Sequence, residues 1–142
     1  MKAILGSFMS LVFFCCALSA ASAADTAEKV VYHINDSTNA TAILKNVNNH
    51  LDASPKAQIV VVSHGPGIDF MLDGAQDKNG NPYEPMVQGL VARHVVFKVC
   101  NNTLTSRKID KSKVLAEAII VPSGVAEIAR LQWQEHYAYM KP

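Results

Sequence analysis

Two hydrophobic periods alternate along this chain, one suited to strands and one to helices. Residues 29–35, Lys-Val-Val-Tyr-His-Ile-Asn, are short and rich in β-branched side chains, which predicts a strand. Asp36, Ser37 and Thr38 then offer capping side chains to a helix over about 39–51, where Ala42, Ile43, Val47 and Leu51 recur at helical spacing. Ser54-Pro55 ends it. Residues 57–63 form a nearly unbroken apolar run, the pattern of a strand covered on both faces in a parallel sheet. His64-Gly65-Pro66-Gly67 predicts a sharp turn, followed by a short apolar segment, 68–72, and a polar surface loop, 73–82, with turn signals at Asn79-Gly80 and Asn81-Pro82. Met86, Val87, Leu90 and Val91 place a helix over 83–92, with Gly89 as its weak point. A third strand spans 95–99, and Cys100 follows at once. Asn101, Asn102 and Thr103 are expected to cap a short helix. Val114 and Leu115 are assigned to a further helical turn and 117–121 to a fourth strand. Pro122-Ser123-Gly124 opens a last helix. There Val125, Ile128, Ala129, Leu131 and Trp133 make a broad apolar face that is expected to end near Tyr139.

Strands alternating with helices predict an α/β fold with a central, mainly parallel sheet between helical layers. Right-handed crossovers gather the carboxyl ends of the strands on one edge, where ligands bind in open α/β sheets. Three punctuation points fall there: His64-Gly65, Cys100-Asn101 and Ser123-Gly124.

Composition changes this picture in one place. The 142 residues carry 13 Lys+Arg against 12 Asp+Glu, a formal net charge of +1, with 49% hydrophobic and 18% charged residues. This balance excludes a polycationic nucleic-acid binder and an acidic disordered chain. The first residues, however, form an address. Lys2 precedes an apolar stretch over 3–18, and Ala21-Ser22-Ala23 closes it with small side chains, which reads as a secretory signal peptide over 1–23. The apolar stretch is shorter than the roughly 20 residues of a spanning helix, so no membrane anchor is expected after cleavage. Phe13 and Phe14 before Cys15 argue against a lipidation signal. The mature domain, 24–142, is then formally neutral and periplasmic or secreted, and of the three cysteines it keeps only Cys100. A lone thiol in an oxidising compartment points either to a reactive group or to a buried inert one.

A cysteine between a strand end and a helix start meets free backbone N–H groups, which favour the nucleophilic thiolate. Lys98 and Arg107 are candidates to add positive charge. His64 is a candidate base or metal ligand if its turn approaches Cys100. HGPG lacks the lysine and spacing of a phosphate loop, no G-x-S-x-G elbow is present, and Ser123 has no triad partner visible in sequence. No CxxC pair exists for a zinc site, and no cofactor or metal is called for. Lys108, Lys111 and Lys113 read as a solvated face, or as a surface for an acidic partner protein. Trp133, Tyr137 and Tyr139 read as core or subunit contacts.

FKVCNNTL, VPSGVAEIARLQ and the ending EHYAYMKP together resemble the DsrE/DsrF-like family of small sulfur-relay proteins, in particular its exported single-domain members. The likeness runs from the Val30-Val31-Tyr32 strand to the carboxyl terminus. It implies a three-layer α/β sandwich assembled as a trimer or a hexamer of stacked trimers. It also implies that Cys100, in VCNNTL, takes sulfane sulfur as a persulfide and passes it on. Asn101, Asn102, Ser123 and Gly124 are then the expected binding residues and His64 an auxiliary. The partners would be sulfur-donor and sulfur-acceptor proteins or small sulfane compounds, with no nucleic acid. The export signal and Asn101-Asn102 depart from the cytoplasmic relay proteins, so their tRNA-thiolation and sulfite-reductase partners are not carried over. Two other readings stand beside sulfur carriage: a small-ligand or soft-metal site built on Cys100 and His64, and a structural subunit of a relay complex with Cys100 inert.

Overall fold

The computed structural model describes residues 27–142. The leader assigned to 1–23 lies outside them. Five strands, β1 (Lys29–Ile34), β2 (Gln58–Ser63), β3 (Val96–Cys100), β4 (Ala118–Val121) and β5 (Ala138–Met140), form one sheet in the order β4-β3-β2-β1-β5. Every pairing is parallel. The α/β class with a central parallel sheet is thus as the sequence predicts.

Alternation along each strand sends side chains to two faces. Val30, Tyr32, Ile34, Ile59, Val61, Phe97 and Val99 meet α1 (Ala40–Ala53), α2 (Glu84–Val91) and Leu104 of α3 (Asn101–Ser106), forming the larger core. Val31, Val60 and Val62 meet Ile128 and Leu131 of α4 (Gly124–Glu135) on the opposite face. Among the described residues, one helix alone covers that second face.

Several local expectations change. The HGPG turn and the apolar segment after it are one 3-10 helix, Gly65–Met71, because Pro66 fits its first turn and Ile68, Phe70 and Met71 are all buried. Val114 and Leu115 are not helical: a 3-10 turn covers only Lys111–Lys113, and Val114 pairs with Leu72 in an antiparallel bridge. The last helix stops at Glu135 because His136 adopts the left-handed conformation, with φ 60°. The chain beyond it turns back as β5 beside β1, where the sequence predicts continued helix. The broad apolar face of α4 also divides: Ile128 and Leu131 are buried, whereas Val125 and Trp133 are 58% and 84% exposed.

One ionic cluster ties α4 to the sheet. Lys98 Nζ donates to Glu127 Oε1 at 2.5 Å, and Arg130 donates to the same carboxylate at 2.7 Å and to Glu135 at 2.5 Å. These bonds hold the Glu127 carboxyl down at about 2, the Arg130 hydrogen bond outweighing the rise from burial and Lys98 adding to it.

Candidate thiol site

Register explains how the site forms. Ser63 of β2 is level with Val99 of β3, so His64 and Cys100, one residue further along adjacent parallel strands, emerge side by side. Alternation sends both to the α4 face, together with His33 of β1, which shares that face with Val31. The start of α4 closes over them. A Cβ on Gly124 would lie 3.1 Å from the His64 Cβ and 3.2 Å from the Cys100 Cβ, so glycine permits this approach.

Cys100 is the last residue of β3 and the N-cap of α3. It is 5% exposed and unpaired. No side-chain cap bond of full geometry forms there. Burial pushes the thiol pKa up. The Gly124 N–H, the Thr103 hydroxyl and N–H, and the Asn102 N–H act together against that rise and leave the pKa below its ordinary value. Thr103 is pre-oriented to donate: its Oγ1 accepts from the Gly65 N–H at 2.9 Å, which leaves the hydroxyl proton for the sulfur. Gly65 has φ +55°, a left-handed conformation that glycine adopts without strain.

The residues singled out from sequence take unequal parts. Asn102 and Gly124 supply backbone N–H groups to the sulfur, and the Asn102 N–H is shared with Pro122 O at 3.2 Å. Asn101 Oδ1 is buried without a partner. Ser123 caps α4, accepting from the Ala126 N–H at 3.4 Å, so its hydroxyl is a helix cap. Lys98 and Arg107 do not supply the expected positive charge to the thiol, because Lys98 is paired with Glu127 and Arg107 with Asp69.

His64 turns its ring towards another histidine. Its Nε2 lies 2.7 Å from His33 Nε2, and His33 Nδ1 lies 2.6 Å from the Tyr139 hydroxyl. Burial lowers the pKa of both imidazoles. The second histidine and Lys141 lower His33 further, and Lys141 does the same for His64. The pair is therefore neutral at neutral pH. The sequence pattern does not single out His33 and places Tyr139 on the last helix, because only sheet register and β5 bring them to His64. No group of three or more His, Cys, Asp or Glu side chains among the described residues is placed to hold a metal ion.

The model of the DsrE/DsrF-like family matches residues 10–142. The chain belongs to the DsrE/DsrF-like family. Membership connects it with sulfur-relay functions in general. Among solved structures it is similar to the protein of unknown function MTH1491 from Methanobacterium thermoautotrophicum, at 28% identity and a TM-score of 0.72, over 81% of this chain and 99% of that one. The ychN protein from E. coli shares the DsrE-like fold at 17% identity and a TM-score of 0.66, with the same coverage. No curated relative matches the sequence.

Proposed function

We propose that this protein is an exported sulfur carrier in which the Cys100 thiolate accepts sulfane sulfur as a persulfide and hands it to a partner. The observation that carries the reading is the set of donors around one sulfur, Gly124 N–H, Thr103 Oγ and N–H, and Asn102 N–H, which favours the anion despite burial. A thiolate is the nucleophile that attacks sulfane sulfur. The apolar leader over 1–23 supports export. A homo-oligomer is supported by the uncovered apolar side chains on the α4 face: Ile119 of β4, level with Lys98, is 53% exposed, and Val125 and Trp133 of α4 are more so.

Intact-mass spectrometry on protein made with its own leader tests the reading. After incubation with a small persulfide, a gain of about 32 Da per chain is expected, absent in Cys100→Ala. The same spectra, recorded natively, are expected to show a chain starting at Ala24 and more than one copy. A wild-type chain that takes up no sulfur from any sulfane donor would overturn the carrier reading. The burial of Cys100 favours a second reading, a structural subunit with an inert thiol. It predicts alkylation only after denaturation.

A further inference from the structure

The thiol site has an unassigned neighbour. Tyr139, His33 and His64 form a hydrogen-bonded chain that runs inward from the surface, and the Cβ atoms of its inner member, His64, and of Cys100 both lie against Gly124. We propose that His33 and Tyr139 are positioning residues of a proton relay whose inner end, His64 Nδ1, protonates the thiolate that leaves when sulfur moves to Cys100. The proposal rests on the carrier reading above.

The geometry is that of a relay. The His33 and His64 ring centres are 4.8 Å apart with planes 27° from parallel, and the two Nε2 atoms are 2.7 Å apart, so the rings meet edge to edge. With Nε2 engaged by His33, Nδ1 is the ring atom His64 has left to offer. Both His33 nitrogens are engaged, one by His64 and one by the Tyr139 hydroxyl. Tyr139 is 44% exposed on the edge strand, and a cavity of about 80 Å³ lined by His33, Asn35, Asp36, Asn39 and Lys141 has room for water beside His33. The charged and titratable groups around the chain are Asp36 after β1 and Tyr139 and Lys141 from the carboxyl-terminal segment, and Cys100 of β3 shares with His64 the close approach to Gly124.

Between two neutral imidazoles only one of the facing Nε2 atoms carries a proton. This leaves two proton registers. In one, the Tyr139 hydroxyl donates to His33 Nδ1, His33 Nε2–H donates to His64 Nε2, and His64 Nδ1 bears a proton. In the other, His33 Nδ1–H donates to the Tyr139 oxygen, His64 Nε2–H donates to His33 Nε2, and His64 Nδ1 is bare.

Sulfur transfer needs that proton. The Cys100 thiolate attacks the terminal sulfur of a persulfide R–S–SH. A sulfur–sulfur bond forms at Cys100, the donor's sulfur–sulfur bond breaks, and RS⁻ leaves. No oxidant is consumed. The attacking thiolate has no proton to give. His64 Nδ1–H supplies it, the protons of His33 and Tyr139 each move one place inward, and water restores the Tyr139 hydroxyl. The chain passes from the first register to the second.

Leaving-group dependence tests this. Single-turnover rates at neutral pH are compared for glutathione persulfide, whose leaving thiolate needs a proton, and for dithiobis(nitrobenzoate), whose leaving thiolate does not. His33→Gln is expected to slow the first reaction about tenfold and the second less than about twofold, in keeping with a general-acid role. Tyr139→Phe, at an exposed edge where folding is not at stake, is expected to slow only the persulfide reaction, about threefold. Equal slowing of both reactions, or of neither, in the two variants would overturn the relay alone. A wild type that reacts with the disulfide but takes up no sulfur would overturn the carrier reading and the relay with it.

Discussion

Gly67→Ala is expected to destabilise the protein by about 3 kcal/mol or more, measured as a lower urea midpoint at unchanged slope. A Cβ there would lie 2.7 Å from the Asn35 Cα, 2.6 Å from the Ile34 carbonyl carbon and closer still to the Ile34 oxygen. All three are backbone atoms at the end of a central strand, so no side chain can swing away. The Gly67 N–H also donates to His64 O at 3.0 Å, and His64 N–H donates to Ile34 O at 3.1 Å. The substitution therefore pushes the 3-10 turn off β1 and moves His64 with it. Gly89→Ala is the contrast: nothing lies within 4 Å of the added methyl on α2. A gain of about 0.5–1 kcal/mol is expected. If both variants unfold at the same urea concentration, the tight approach at Gly67 is not what holds the turn.

Glu127→Gln is expected to cost about 3 kcal/mol at neutral pH, because it leaves the Lys98 ammonium, 14% exposed, without its counter-charge. The pH dependence identifies the cause. A carboxyl held at about 2 rather than 4.5 contributes fully above pH 4.5, and its contribution is lost as pH falls through 2. The imidazoles of His33 and His64 act earlier. Their lowered values mean that the unfolded chain takes up protons first, so stability is lost as pH falls below 6.5. Thermal melts from pH 7 to pH 2 are expected to show both losses in the wild type. In Glu127→Gln the earlier loss remains and the later one shrinks. An unchanged lower limb would show that the cluster does not hold α4 to the sheet.

The parts of this molecule that were legible in the sequence are those set by local pattern. Runs such as Gln58–Ser63 and Val96–Cys100 announce buried parallel strands, and the position of Cys100 between β3 and α3 follows from where the apolar run stops. The parts that were not legible depend on contacts distant in sequence. Ala138–Met140 has only three residues, all exposed, and becomes a strand because His136 ends α4 in a left-handed turn and β1 has an open edge. Trp133 and Val125 fit a helical apolar stripe, yet one helix cannot bury its whole circumference against one sheet face. Thr103 reads as a cap, and its hydroxyl serves the thiol only because Gly65, 38 residues earlier, occupies the oxygen. His33 looks like one polar residue in an apolar strand. Its meaning comes from a register that places it beside His64.

Sulfur carriage depends on Cys100 being a stabilised thiolate in the native fold, and its alkylation rate as a function of pH measures this directly. Iodoacetamide should label the native protein with a midpoint below the ordinary thiol value of 9.0, and denaturation should raise that midpoint towards 9.0. A native thiol that labels only above pH 9.0, or only once the chain is unfolded, would contradict it.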